Sequence, residues 1–159
     1  MEVLRLTDPE EKALAVLDLY AQQAHYSIAA DMQLPSVDPA SLPGRPERPL
    51  LRHHTEVARR SPATPEGRAI LIHAIAHIEF NAINLALDAM WRFAGMPPDY
   101  YRDWLRVAAE EGKHFLLLRD HLRQHHGQDY GDHPAHQGMW TMCEKTSDDV
   151  TARMALVPR

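Results

Sequence analysis

The sequence predicts an all-α protein, an antiparallel helical bundle with an extended proline-rich arm, and three observations carry that prediction. Two stretches of about thirty residues, 65–94 and 98–126, keep apolar residues at the i, i+3, i+4, i+7 spacing of a helix that buries one face. Each opens on a proline and closes at a glycine, Pro65 to Gly95 and Pro98 to Gly127, the asymmetry of helix starts and stops. The connection between them, Gly95–Pro98, is so short that the two helices must lie side by side and antiparallel. With 159 residues and 45% hydrophobic content, the chain is expected to form one domain with a core of ordinary size.

The elements follow in order. A first helix is expected over about 8–31. Thr7-Asp8-Pro9-Glu10-Glu11 supplies a capping oxygen, a proline at the first helical position and acids in the first turn. Its apolar stripe is read as Leu14, Leu17, Ala21, Ala24 and Ile28, with His25 beside it as a packed or surface histidine. Residues 33–64 form the arm. Pro35, Pro39, Pro43, Pro46, Pro49 and Pro62 fall there, and Pro65 ends it, so the backbone lacks donors and is held extended. An arm of this length is expected to wrap the bundle or line an opening. Arg45, Arg48, Arg52, Arg59 and Arg60 make it locally basic, which suits a solvated strap or a site for an anionic substrate.

The second helix, 65–94, carries an inward stripe of Ile72, Ile75, Ala76, Glu79, Ile83, Ala86 and Met90. The third, 98–126, carries Trp104, Val107, Ala108, Glu111, His114, Phe115, Leu118 and Leu122, with Asp103, Arg106, Glu110, Lys113, Arg119 and Asp120 opposite. A polar, turn-rich loop occupies 127–138. A fourth helix is expected over 139–157, with Trp140, Cys143, Val150, Met154 and Val157 on one side. Cys143 reads as a small core residue, because nothing beside it would activate a thiol.

Composition narrows the function classes. A net charge of −5 argues against a dedicated nucleic-acid surface. A single cysteine excludes an internal disulfide framework and suits a reducing cytoplasm. No uninterrupted apolar run reaches the 18 or so residues of a membrane span, and Met1-Glu2-Val3-Leu4-Arg5 lacks the apolar core of a signal peptide, so no membrane role is expected. Of the eleven histidines, His53-His54 and His125-His126 sit in polar surroundings that read as solvated surface.

The chemistry-bearing signal is a trio of residues on the two long helices. Glu79 is the one charge in the stripe of the second helix, and Glu111 and His114 interrupt the stripe of the third, one turn apart. An inward carboxylate is costly unless it is paired, hydrogen-bonded or bound to a metal. Glu-x-x-His on one helix lets both side chains reach one ion and recurs in di-iron carboxylate bundles. Glu79 lies about 17 residues before the turn and Glu111 about 14 after it, so at roughly 1.5 Å per residue they are expected at similar heights. His73 and His77, off the centre of the stripe, are candidates to support a ligating acid or are ordinary packed histidines; both readings stand. Asp132, His133 and His136 in the loop could reach a site, though loop polarity explains them as well. Gly112 inside the Glu-x-x-His motif is unusual, since glycine costs about 1 kcal/mol against alanine in a helix.

The segment from Gly67 to Phe80, with His73, His77 and Glu79, resembles a bacterial ferritin-like family of unassigned function, related to the di-iron hydroxylase of modified tRNA and to other ferritin-like oxygenases. So do Asp103-Trp104-Leu105-Arg106-Val107-Ala108, Glu110-Glu111-Gly112-Lys113-His114-Phe115, Tyr130-Gly131-Asp132, Pro134-Ala135-His136 and the stretch from Ala152 to Arg159. The resemblance implies a ferritin-like bundle in which Glu79 is the iron ligand of the first helix of the site, and Glu111 with His114 the Glu-x-x-His of the second. It also implies that this chain matches only the N-terminal part of the family, whose members continue beyond the point matching Arg159 to supply a third-helix glutamate and a second Glu-x-x-His. A complete di-iron site takes four carboxylates and two histidines from four helices, and this chain has half. Either it is a truncated or divergent member that binds metal weakly or not at all, or two copies pair about a two-fold axis so that symmetry rebuilds the site.

Three functions are therefore expected to compete. The first is a non-haem di-iron, or iron/manganese, oxidoreductase of the O₂-using hydroxylase type, acting on a small-molecule or modified-base substrate and completed across a homodimer. The second is metal handling without turnover. The third is a metal-free helical interaction module whose inward carboxylates are neutralised or hydrogen-bonded.

Overall fold

The computed structural model describes residues 1–27, 37–38, 41–53, 55–56 and 61–157. The first helix, expected to run to residue 31, stops at Ala21, and the chain is already extended at Tyr26 (φ −97°, ψ 132°); residues 28–31, with Ile28, lie outside the described residues, as do Pro35, Pro39, His54, Arg59 and Arg60 of the arm and the terminal Pro158 and Arg159. All regular structure among the described residues is helical: α1 (Glu2–Arg5), α2 (Pro9–Ala21) followed by a 3₁₀ turn (Gln23–His25), α3 (Pro65–Arg92), α4 (Pro98–His126), α5 (Gly138–Lys145) and α6 (Val150–Leu156).

The two long helices begin and end where local chemistry dictates. Thr64 Oγ1 accepts from Gly67 N at 3.0 Å and Pro65 takes the first helical position of α3. Gly95 turns the chain with φ 76°, and Tyr101 locks the turn, its hydroxyl donating to Phe93 O at 2.9 Å and accepting from Met96 N at 3.0 Å. Gly127, at φ 62°, ends α4 in the left-handed region, and Gln128 N returns to Leu122 O.

α3 and α4 pack along their lengths, α2 lies against α4, and α5 lies against α3. The core joining them includes Val16, Ala76, Phe80, Ile83, Ala86, Ala108, Phe115, Tyr130, Trp140 and Cys143. α3, at 28 residues, is long and apolar enough to cross a membrane by length and composition alone, yet half of its most apolar stretch is buried in the protein, as in the core helix of a helical bundle.

Two further features depart from expectation. The buried face of α2 is Pro9, Lys12, Ala13 and Val16, and Leu14 is 51% exposed. The face is set by close approach to α4: a Cβ on Gly112 would stand 2.8 Å from Val16 Cγ2 and 3.1 Å from Ala13 O. Glycine at 112 therefore buys interhelical proximity at the expense of helix propensity. The helix expected over 139–157 is two helices. Thr146-Ser147-Asp148-Asp149 interrupts it, and Asp149 Oδ1 caps α6 by accepting from Thr151 N at 2.8 Å and Ala152 N at 3.0 Å. Such side chains compete for backbone hydrogen bonds and favour caps over helix interiors.

The described part of the arm crosses α3 and is held at both ends. Gly44 N donates to Leu4 O at 2.9 Å, and Leu51 forms an isolated parallel bridge with Ala135. The loop after α4 is anchored by Arg119, which ion-pairs with Asp129 at 2.7 Å and with Glu10 of α2 at 2.8 Å. Burial alone would push the Asp129 carboxyl up, but hydrogen bonds from Arg119 and Arg123 bring it down to about 2.

Candidate metal centre

Glu79 projects from the middle of α3, and Glu111 and His114 from the middle of α4, where the antiparallel hairpin brings them to one level. Each offers a ligand atom within 4.8 Å of the other two. His114 Nδ1 lies 3.1 Å from Glu111 Oε2 and 4.0 Å from Glu79 Oε2. Burial pushes the Glu79 carboxyl up to about 7, a hydrogen bond and like charge from Glu111 push the same way, and His114 opposes them. Near neutrality Glu79 therefore retains a proton that a cation would displace.

The trio converges, but at the edge of the hairpin. The Glu79 and Glu111 side chains are 21% and 19% exposed, whereas His114 is 54% exposed. The inward direction expected for His114 is thus corrected: its position on α4 lies toward the open side, about 60° round the helix from Glu111. Next to the trio, Ile78 on α3 and Leu117 on α4 are exposed large hydrophobics.

His73, His77 and His136 make their hydrogen bonds elsewhere. Position 77 is about 200° round α3 from Glu79, facing the loop after α4. His77 Nδ1 pairs with Tyr130 Oη at 2.8 Å and its Nε2 with His136 O at 3.0 Å. Asn81 Nδ2 also stands 3.0 Å from Nε2, so both ring nitrogens are engaged. His73 Nε2 accepts from Gly131 N at 2.9 Å, and its ring stacks on Tyr130 at 5.3 Å. Burial, reinforced for His73 by neighbouring His133 and His77, lowers both imidazoles to about 4. His136 contributes to this network through its backbone carbonyl, while its own Nδ1 accepts from Gly138 N at 3.3 Å. These histidines staple α3 to the loop. His133 belongs to the same staple, its ring edge-on to His73 at 5.3 Å, and Asp132 Oδ2 accepts from Asp129 N at 2.7 Å within the loop.

Sequence reasoning passed over the buried charges. Asp88 of α3 is fully buried, accepting from Arg153 at 2.6 Å, Arg92 at 2.6 Å and Cys143 Sγ at 3.1 Å. Burial also lifts the Cys143 thiol, with the Asp88 carboxylate adding to the effect, so this cysteine is unreactive as expected. Lys12 of α2 is fully buried as well. Its period-correct position on α2 next to Ala13 and Val16 was the available signal.

Two carboxylates and an imidazole are a donor set for Fe(II), Mn(II) or Zn(II). The trio fits such an ion as three ligands with one side left open. Comparison with known proteins adds the following. The chain matches, over residues 5–159, a family described as "Protein of unknown function (DUF455)". It is 45% identical over 170 residues to an "Uncharacterized protein" of Haemophilus influenzae, an alignment covering 98% of this chain and 57% of that relative. The chain thus spans little more than half the length of the curated relative it matches. No solved structure matches it.

Proposed function

The chain belongs to the DUF455 family of proteins of unknown function, and we propose that it is a ferritin-like non-haem di-iron, or iron/manganese, carboxylate protein that uses O₂ to oxidise a small-molecule or modified-base substrate. The observation that carries this reading is the convergence of Glu79, Glu111 and His114 from two antiparallel helices, with their ligand atoms within 4.8 Å. In the proposed centre Glu79, Glu111 and an imidazole nitrogen of His114 would hold the metal. Iron, when bound, supplies electrons to O₂. The chain's part is to hold the ion, release the proton held on Glu79, and leave an open side for a further ligand.

That open side supports the second half of the proposal. Three ligands are half of what a four-helix di-iron site takes. A second copy docked on the face bearing Ile78 and Leu117 would supply the other half by symmetry and cover those side chains. The reading as a metal-free interaction module draws on the raised Glu79 carboxyl, which Glu111 already satisfies by hydrogen bonding.

The test is metal analysis and solution mass together. After aerobic reconstitution with Fe(II), the proposal expects about one iron per chain, near-ultraviolet oxo–iron absorbance and a dimer, all lost in Glu79→Gln. A monomer that retains neither iron nor manganese at micromolar protein overturns it in favour of the interaction module.

A further inference from the structure

α3 has a second polar face, turned away from Glu79. Phe80, Asn81 and Asn84 stand there, about 100°, 200° and 140° round the helix from Glu79. The arm crosses this face without filling it. Between them lies a cavity of about 210 Å³, walled by Phe80, Asn84 and Tyr130 on one side and by Arg45, Pro49 and Leu50 on the other.

The charge around this cavity is unbalanced. Lys12 is buried behind Asn84 and Phe80. Its ammonium donates to Asn84 Oδ1 at 2.7 Å, Gly44 O at 2.8 Å and Leu4 O at 3.2 Å, and stands 5.2 Å over the Phe80 ring. All four are uncharged. The second cation is Arg45, on the cavity wall. It donates to the amide oxygen of Gln137 at 2.7 Å and lies 5.9 Å over the Trp140 ring, and it makes no ion pair among the described residues. Burial, with repulsion from Arg45 adding to it, lowers the Lys12 ammonium to about 7. Glu144 acts on Arg45 only at a distance. Glu47 also borders the cavity but is exposed. A buried cation without a counter-charge is costly, and here the fully buried Lys12 and the half-buried Arg45 stand beside one largely apolar space.

We propose that this cavity binds a small organic anion: one flat apolar body seated among Phe80, Tyr130, Pro49 and Leu50, bearing a carboxylate or phosphate that pairs with Arg45 and is favoured by the field of Lys12. The guanidinium is suited to this role because its planar fork pairs with carboxylate or phosphate oxygens. The site stands apart from the metal-centre proposal, because the helix separates it from Glu79, and its test requires no metal.

The test uses benzoate, phenyl phosphate and benzyl alcohol as probes, with isothermal titration calorimetry on the metal-free protein. At least one of the two anions is expected to bind, and their relative affinities decide between carboxylate and phosphate. Benzyl alcohol, which has the ring without the charge, is expected to bind at least about tenfold more weakly, and Arg45→Met to weaken the anion by about tenfold or more. The chain has three lysines, Lys12, Lys113 and Lys145. In ¹³C-lysine-labelled protein the anion should therefore move the titration of one ε-carbon, that of Lys12, toward the ordinary lysine range. Leu50→Trp, at an exposed position on the cavity wall, fills the space and must abolish binding even if Arg45→Met folds poorly. The proposal is overturned if benzyl alcohol binds as well as the anions, if Leu50→Trp leaves binding intact, or if millimolar benzoate and phenyl phosphate produce neither heat nor a shift at Lys12.

Discussion

Arg153 of α6 places Nη1 2.6 Å from Asp88 Oδ2 of α3, and the two side chains are 1% and 0% exposed. The pair has further partners. Arg92 holds Asp88 Oδ1 at 2.6 Å, and Arg153 also donates to Thr146 Oγ1 and Cys143 O, both at 2.7 Å. Burial would raise the Asp88 carboxyl, yet the hydrogen bonds from Arg92, Cys143 and Arg153 hold it below its ordinary value. A sealed pair contributes little net stability, but removing one partner leaves a buried charge uncompensated. Arg153→Met is expected to cost about 3 kcal/mol, read as a lower urea midpoint, and Asp88→Asn in the same chain to recover part of it. A loss below about 1 kcal/mol would mean that this pair does not anchor α6.

The second prediction concerns Gly112. On helix propensity alone, Gly112→Ala should stabilise α4 by about 1 kcal/mol. The packing of α2 reverses the sign, because the new methyl would stand 2.8 Å from Val16 Cγ2 and 3.1 Å from a backbone oxygen. A net loss of about 1–2 kcal/mol is expected in urea unfolding. Val16→Ala removes the closest atom, so the double variant should be more stable than the two single effects sum to. If Gly112→Ala is stabilising, α2 does not seat against α4 as described.

These residues mark how far the fold was legible in the sequence. The long helices were, because Thr64-Pro65 and Gly127 announce their own ends and the apolar period recurs along both, broken only at Glu79, Glu111 and His114. The trio was legible for the same reason: a carboxylate on an apolar stripe is conspicuous, and counting from the turn gives its height. The rotation of α2 was not. Leu14 and Leu17 outweigh Ala13 and Val16 on any hydrophobic count, and only Gly112, distant in sequence, shows that small residues make the contact. The break in the last helix was written in Thr146-Ser147-Asp148-Asp149, whose capping side chains were read as helix interior. Asp88 with Arg153, and His77 with Tyr130, are pairings between distant segments that no local period encodes.

Acid should loosen the staple between α3 and the loop. His73 and His77 are neutral in the fold, with imidazoles lowered to about 4 by burial. Unfolded, each takes a proton near pH 6.5. The unfolded state therefore binds more protons between pH 6.5 and 4, and stability falls as pH is lowered through that window. Each histidine contributes a loss of up to about 3 kcal/mol on full titration. His73→Gln should flatten that dependence, which melting temperatures measured from pH 7 to pH 4 will show. An unchanged slope would mean that His73 is protonated in the folded protein.

Glu79 titrates with the opposite sign, which gives the proposed metal centre a test independent of catalysis. Its carboxyl is raised from 4.5 to about 7 by burial and by Glu111. The stability it contributes is fully present below pH 4.5 and is lost as pH rises through 7. Metal-free Glu79→Gln should therefore match wild type at pH 4.5 and exceed it at pH 8, by about 1 kcal/mol once partial exposure is discounted. Saturating Mn(II) should invert the order at pH 8. Only wild type gains from the ion, by about 2.7 kcal/mol at a free concentration one hundred times Kd. The four melting curves at pH 8, each protein with and without Mn(II), separate the possibilities. Crossing of the two proteins identifies a built site whose carboxylates repel until a cation arrives. Stabilisation of Glu79→Gln in both conditions identifies a carboxyl pair that is merely strained.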